Sequence, residues 1–141
     1  MERDDVSSRC NAIEECYEFM LAYAGQGLSG KENSKSSSDV RDFLNRAVEA
    51  LSGLVEAYTK AVKEENLEPA DRYLAFLKVL EKDALDSLAS IHLVLVQATI
   101  SSQLIDNLNA SIHLRALLTD LFLIDEILKP QPLAAKPVIT S

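Results

Sequence analysis

The stretch Ile91-His92-Leu93-Val94-Leu95-Val96 decides the fold class, because its alternation and β-branched residues, taken alone, read as a strand. No second stretch of the chain carries that pattern, so such a strand would have no partner, and a lone strand is not stable in water. Its neighbours point the other way. Between Pro69 and Ala98, Tyr73, Leu77, Leu80, Ala84, Leu88, Ile91 and Leu95 recur at steps of three and four, which lines them along one face of a helix. The hexapeptide is therefore assigned to a long helix over 69–98, and the chain to the all-α class.

The same periodicity extends upstream. Val40, Leu44, Ala47, Leu51, Leu54, Tyr58 and Val62 form a stripe over 39–66, widened by Phe43, Val48 and Val55. Ser38 or Asp39 suits its N-cap, and Pro69 suits the first turn of the helix that follows. Gly53 interrupts this second helix at a cost of up to ~1 kcal/mol relative to alanine, which either the close approach of another helix or a slight bend would explain. Nearer the start, Val6, Cys10, Ile13, Tyr17, Met20 and Ala24 mark a helix over 5–24, stopped by Gly25 and Gly27. At the other end, Ser101 or Ser102 caps a helix over 102–129 that Pro130 and Pro132 terminate. Together these stripes predict one domain over 1–129, an antiparallel up-down four-helix bundle. Residues 25–38 are expected to form a flexible loop and 130–141 an extended or disordered tail, since neither offers the apolar surface that would offset ordering.

The last helix differs from the others in being apolar on two faces. Ile105, Leu108, Ile112, Ala116, Leu123 and Ile127 make one, and Leu114, Leu117, Leu121, Ile124 and Leu128 make the other. A helix in a simple four-helix monomer buries one face only. A homodimer is therefore expected, with Leu114, Leu117, Leu121, Ile124 and Leu128 as its interface.

Charge and composition narrow the function classes. The 141 residues carry a formal charge of −8, which repels phosphate backbones, and no basic cluster offsets it, so nucleic acid is not an expected partner. Met1-Glu2-Arg3-Asp4-Asp5 is acidic where a signal peptide needs a basic start. Arg115, Asp120 and Asp125 interrupt the most apolar run well short of the ~18 residues that span a bilayer. The expected location is the cytoplasm, with no membrane span. Cys10 and Cys16 lie six apart on one helix, about 9 Å along its axis and on different sides, beyond disulfide reach. They read as free thiols filling a packed face, with an exposed Cys16 bridging two chains as the alternative.

One repeat invites a chemical reading. Ala89-Ser90-Ile91-His92-Leu93 recurs as Ala110-Ser111-Ile112-His113-Leu114, and these two segments hold both histidines of the chain. If the third and fourth helices form a hairpin near Ile100, His92 and His113 lie about 6 Å apart along the axis on helices about 8–10 Å apart, which permits metal ligation. Bundle metal sites place a Glu three residues before the His, whereas Ala89 and Ala110 stand there. The preferred reading is a half-buried histidine hydrogen-bonded across a helix pair in each copy. In architecture the chain also resembles the histidine-phosphotransfer class, which implies a helix-borne imidazole as phosphoryl acceptor. That class follows its histidine with a lysine and small residues, and here Leu93-Val94-Leu95 and Leu114-Arg115-Ala116-Leu117 follow. Gln103, Asp106, Asn107, Asn109 and Ser111 form a polar run, either a solvated face or a buried network fixing helix register. No phosphate loop, nucleophile elbow or metal cluster is present in the sequence. The expected function is that of a non-catalytic helical interaction or adaptor protein without cofactor. The alternatives are a metal-binding bundle or small helical enzyme using His92 and His113, and a phosphorelay intermediate.

Overall fold

A computed structural model describes residues 2–25 and 34–129, and every regular element among them is a helix. In order these are α1 (Glu2–Gly25), α2 (Ser34–Ser52), α3 (Leu54–Glu64), α4 (Ala70–Leu95), α5 (Ser102–Ala110) and α6 (Ile112–Leu128). The hexapeptide 91–96 is helical through Leu95, as its neighbours' stripe requires. Six helices stand where the periodicity predicts four, because the second and fourth are each divided. Helix α2 also begins at Ser34, four residues before the expected cap, which leaves only part of the expected loop between α1 and α2. The remainder of that loop and the tail from residue 130 lie outside the described residues.

The division between α2 and α3 falls at Gly53, whose φ of −125° and ψ of 13° leave the helical region. Ser52 Oγ donates to the Val48 carbonyl at 2.7 Å, a back-bond that bends helices. The end of α2 is then satisfied from outside: Arg9 Nη1 on α1 donates to the Glu49 and Ala50 carbonyls at 3.1 Å each. A Cβ built on Gly53 would sit 2.8 Å from the Arg9 guanidinium, so the close approach and the bend are the same event. Two other arginines do likewise. Arg41 donates to the carbonyls of Leu95 (2.9 Å) and Gln97 (2.7 Å), where α4 stops short of its expected end at 98. Arg3 donates to the Leu128 carbonyl at 2.7 Å, at the end of α6. In each case a fixed positive charge meets the negative end of a helix and its orphan carbonyls. Helix α3 closes itself instead, with Asn66 at φ 52° and bonds from Asn66 N to Lys63 O (3.2 Å) and from Leu67 N to Val62 O (3.1 Å). These are the two bonds of a Schellman closure, and half-buried Leu67 packs against the core beside it.

The division between α5 and α6 falls at Ser111, which is at once the end of one helix and the N-cap of the next, with extended φ −63° and ψ 146°. Its Oγ accepts from Leu114 N at 3.3 Å, repeating the cap at Ser101, whose side chain accepts from Leu104 N at 3.1 Å. The break rotates the chain about its axis. Helix α5 buries Ile105 and Leu108, whereas α6 buries Leu114, Leu117, Leu121, Ile124 and Leu128. The second face is thus the buried one on α6, and of the first face only the α5 part, Ile105 and Leu108, turns inward. This corrects the proposed dimer interface: all five of its residues lie inside the core of a single chain.

That core is one cluster. It joins Val6, Ile13, Met20 and Tyr23 of α1, Leu44 and Leu51 of α2, Leu54 and Tyr58 of α3, Leu80 and Ile91 of α4, and the buried faces of α5 and α6. Cys10 and Cys16 are free and both are buried, so the alternative of an exposed, bridging Cys16 is set aside. Helix α1 runs antiparallel to α2 and α3, as Arg3–Glu65, Arg46–Glu15 and the stacked rings of Phe19 and Phe43 (centroids 4.3 Å apart) show. Helix α4 runs antiparallel to α6, with Ser87 Oγ on the His113 carbonyl at 3.0 Å and Phe76 grouped with Leu123 and Ile127. No helix of the described residues is long and apolar enough to cross a membrane.

Candidate interaction surface

With its second face turned inward, α6 presents its first face to solvent. Ile112 is 75 % exposed, Leu123 51 % and Ile127 53 %, and half-buried Ala116 and exposed Thr119 lie between them on the same side. The spacing 112, 116, 119, 123, 127 is that of one helical stripe. Antiparallel α4 runs beside it and adds Val79, 50 % exposed, and half-buried Phe76. Between the two helices a shallow apolar groove of about 230 Å³ is lined by Arg72, Tyr73, Phe76, Leu123, Ile124 and Ile127. Single exposed apolar residues need no explanation, but a row of them along two neighbouring helices is the kind of patch that marks association.

Farther along the same seam lies the one buried carboxylate among the described residues. Asp120 is 8 % exposed, and its Oδ2 is fully buried without a hydrogen-bond partner. Burial first, and then the neighbouring carboxyl of Asp83 on α4, push its carboxyl up to about 7. Thr119 and Arg115 flank it at the surface of α6. One turn farther up α4, Lys82 pairs with Asp86 at 2.9 Å and holds that carboxyl below its ordinary value.

A second polar cluster lies where α1, α3 and α6 meet. Tyr58 Oη donates to Asp125 Oδ1 at 2.6 Å, and Cys10 Sγ lies 3.2 Å from the same hydroxyl. Because the phenol proton goes to the carboxylate, the thiol donates to the phenol oxygen. Burial pushes Cys10 up to about 12 and raises Tyr58 as well, so both stay protonated at neutral pH. A thiol held in that form is a poor nucleophile, and the cluster is a structural tie between α1, α3 and α6. The Arg3 pair with Glu65 lies beside it, with 2.7 Å from Nη2 to Oε1, and lowers the Glu65 carboxyl.

The histidines do not form a site with these groups. His92 and His113 are both exposed, which corrects the expectation of half-buried imidazoles. Ser87, five residues before His92, stands opposite His113, so the two are offset by more than one helical turn. Among the described residues no three His, Cys, Asp or Glu side chains gather in a way that could hold a metal ion. The polar run of α5 divides. Gln103, Asp106 and Asn107 are exposed, with Gln103 Nε2 on Asn107 Oδ1 at 3.1 Å, while Asn109 is buried. The Asp83–Asp120 pair was hidden from the sequence because its members sit on different helices. No protein-family model matches this chain, and no curated protein and no solved structure does so either.

Proposed function

We propose that this chain is a non-catalytic helical interaction protein. Its helices pack as the four antiparallel rods of an up-down bundle, and it acts as a homodimer that docks through the outer face of α6 and the adjoining strip of α4. The observation that carries this reading is the exposure of Ile112, Leu123 and Ile127 in one stripe beside Val79 and Phe76. The stripe suits a second copy of the chain because it is self-complementary. Two antiparallel α6 helices related by a two-fold axis near Ala116 and Thr119 place Ile112 of each copy opposite Leu123 of the other. The small residues at the centre let the helix axes approach.

Sedimentation of the wild-type chain and of Leu123→Glu at tens of micromolar tests this. The wild type should run as a dimer and the variant as a monomer of unchanged helical content, because a carboxylate trapped unpaired in the interface costs several kcal/mol and an exposed one costs little. A wild-type monomer at that concentration would contradict the proposal.

A further inference from the structure

We propose that Asp83 and Asp120 hold a single proton between them across the seam of α4 and α6, and that its gain and loss tighten and loosen that seam beneath the apolar stripe. Two ionised carboxylates can only accept hydrogen bonds, so neither satisfies the other, and the buried Asp120 Oδ2 is left without a partner. A proton there turns a repulsion into a donor and acceptor pair. Among the described residues, Asp83 is the only charged group acting on Asp120. The other charged groups along this part of the seam are engaged or face outward. On α4, Lys82 is paired with Asp86; on α6, His113 acts on Asp86, and Arg115 and His113 are exposed. Helices α2, α3 and α5, which also pack on α4, bring no charged group that acts on Asp120.

The direction of the response follows from the raised carboxyl. In the unfolded chain an aspartate titrates near about 3.9, so between that value and neutrality the folded chain holds a proton that the unfolded chain has lost. Stability therefore falls as pH rises through this window, and the loss is complete above the folded value. The seam is tight in mildly acidic solution and strained in mildly alkaline solution. Val79 and Ala116 of the stripe stand about one helical turn before Asp83 and Asp120 on their own helices.

The test is a titration of aspartate carboxyls by carbon NMR in the full chain, in wild type and in the Leu123→Glu background. One aspartate should titrate at least two pH units above the others, vanish in Asp120→Asn and return toward the ordinary range in Asp83→Asn. The urea midpoint of the wild type should fall between about pH 5 and pH 8, and that of Asp120→Asn, an isostere of the protonated form, should not. The idea is overturned if every aspartate titrates below about pH 5, or if Asp120→Asn keeps the wild-type pH dependence. Because wild type itself is titrated, a variant that fails to fold does not shield the proposal. Because the titration is also read in the Leu123→Glu chain, failure of the shared proton and failure of the docking reading are told apart.

Discussion

The pentapeptide Ala-Ser-Ile-His-Leu occupies two places in this molecule and does opposite things in them. At 89–93 it lies inside unbroken α4: Ser90 Oγ bonds back to the Asp86 carbonyl at 3.0 Å, Ile91 is buried and Leu93 is exposed. At 110–114 it straddles the break between α5 and α6: Ser111 has become an N-cap, Ile112 is exposed and Leu114 is buried. Five identical residues thus bury their Ile in one copy and their Leu in the other. The difference teaches that the inward direction of these helices is set by the stripe each segment joins. Ile91 continues Leu77, Leu80 and Ala84, whereas Leu114 begins Leu117, Leu121, Ile124 and Leu128. In the second copy the serine can leave the helix because a cap is available three residues before a core residue, as at Ser101 and Leu104.

The inverted burial makes a strong set of predictions. Ile91→Ala and Leu114→Ala should each lower stability by about 2–4 kcal/mol in urea unfolding, as expected for cavities in a packed core. Their counterparts Leu93→Ala and Ile112→Ala should stay within about 0.5 kcal/mol in the monomer. Equal costs for the two isoleucines would erase the distinction between the copies. A smaller effect is expected of Arg41→Ala. It frees the Leu95 and Gln97 carbonyls beyond the first copy, and should cost about 1 kcal/mol and speed amide exchange near 92–97 while leaving 110–114 unchanged. The serines separate last: Ser111→Ala should cost about 1 kcal/mol as a lost cap, and Ser90→Ala should be neutral or slightly stabilising, because alanine is the better helix residue. Comparable losses at both would mean that Ser111 does not cap.

Much of this was legible in the chain itself. The stripe of α2 with α3 is buried throughout, and those of α1 and α4 are buried except for half-buried Tyr17, Ala24, Tyr73, Leu88 and Leu95, while Ser101 and Pro69 stand at the helix starts where their chemistry places them. Gly53 carried a signal of a break, which its neighbour Arg9, far away in sequence, converts into one. Ser111 carried a weaker signal, since a serine three residues before a leucine is common inside helices as well. Without that break, buried Ile105 and Leu108 of α5 and exposed Ile112, Leu123 and Ile127 of α6 read as one face, and the five residues expected at an interface are core residues of one chain. The Asp83–Asp120 pair was not legible at all, because it depends on the relative rotation of α4 and α6, and that rotation is set at Ser111.

The rotation at Ser111 is therefore the centre of the account, and thiol labelling reads it directly. Cys10 and Cys16 are buried, so the native background is low. Four variants, Ile91→Cys, Leu93→Cys, Ile112→Cys and Leu114→Cys, would be labelled in native buffer at a concentration low enough to keep the chain monomeric. Fast labelling is expected at positions 93 and 112, and protection at 91 and 114. Protection at 112 with fast labelling at 114 would contradict it, and would return the outer stripe of α6 to the core.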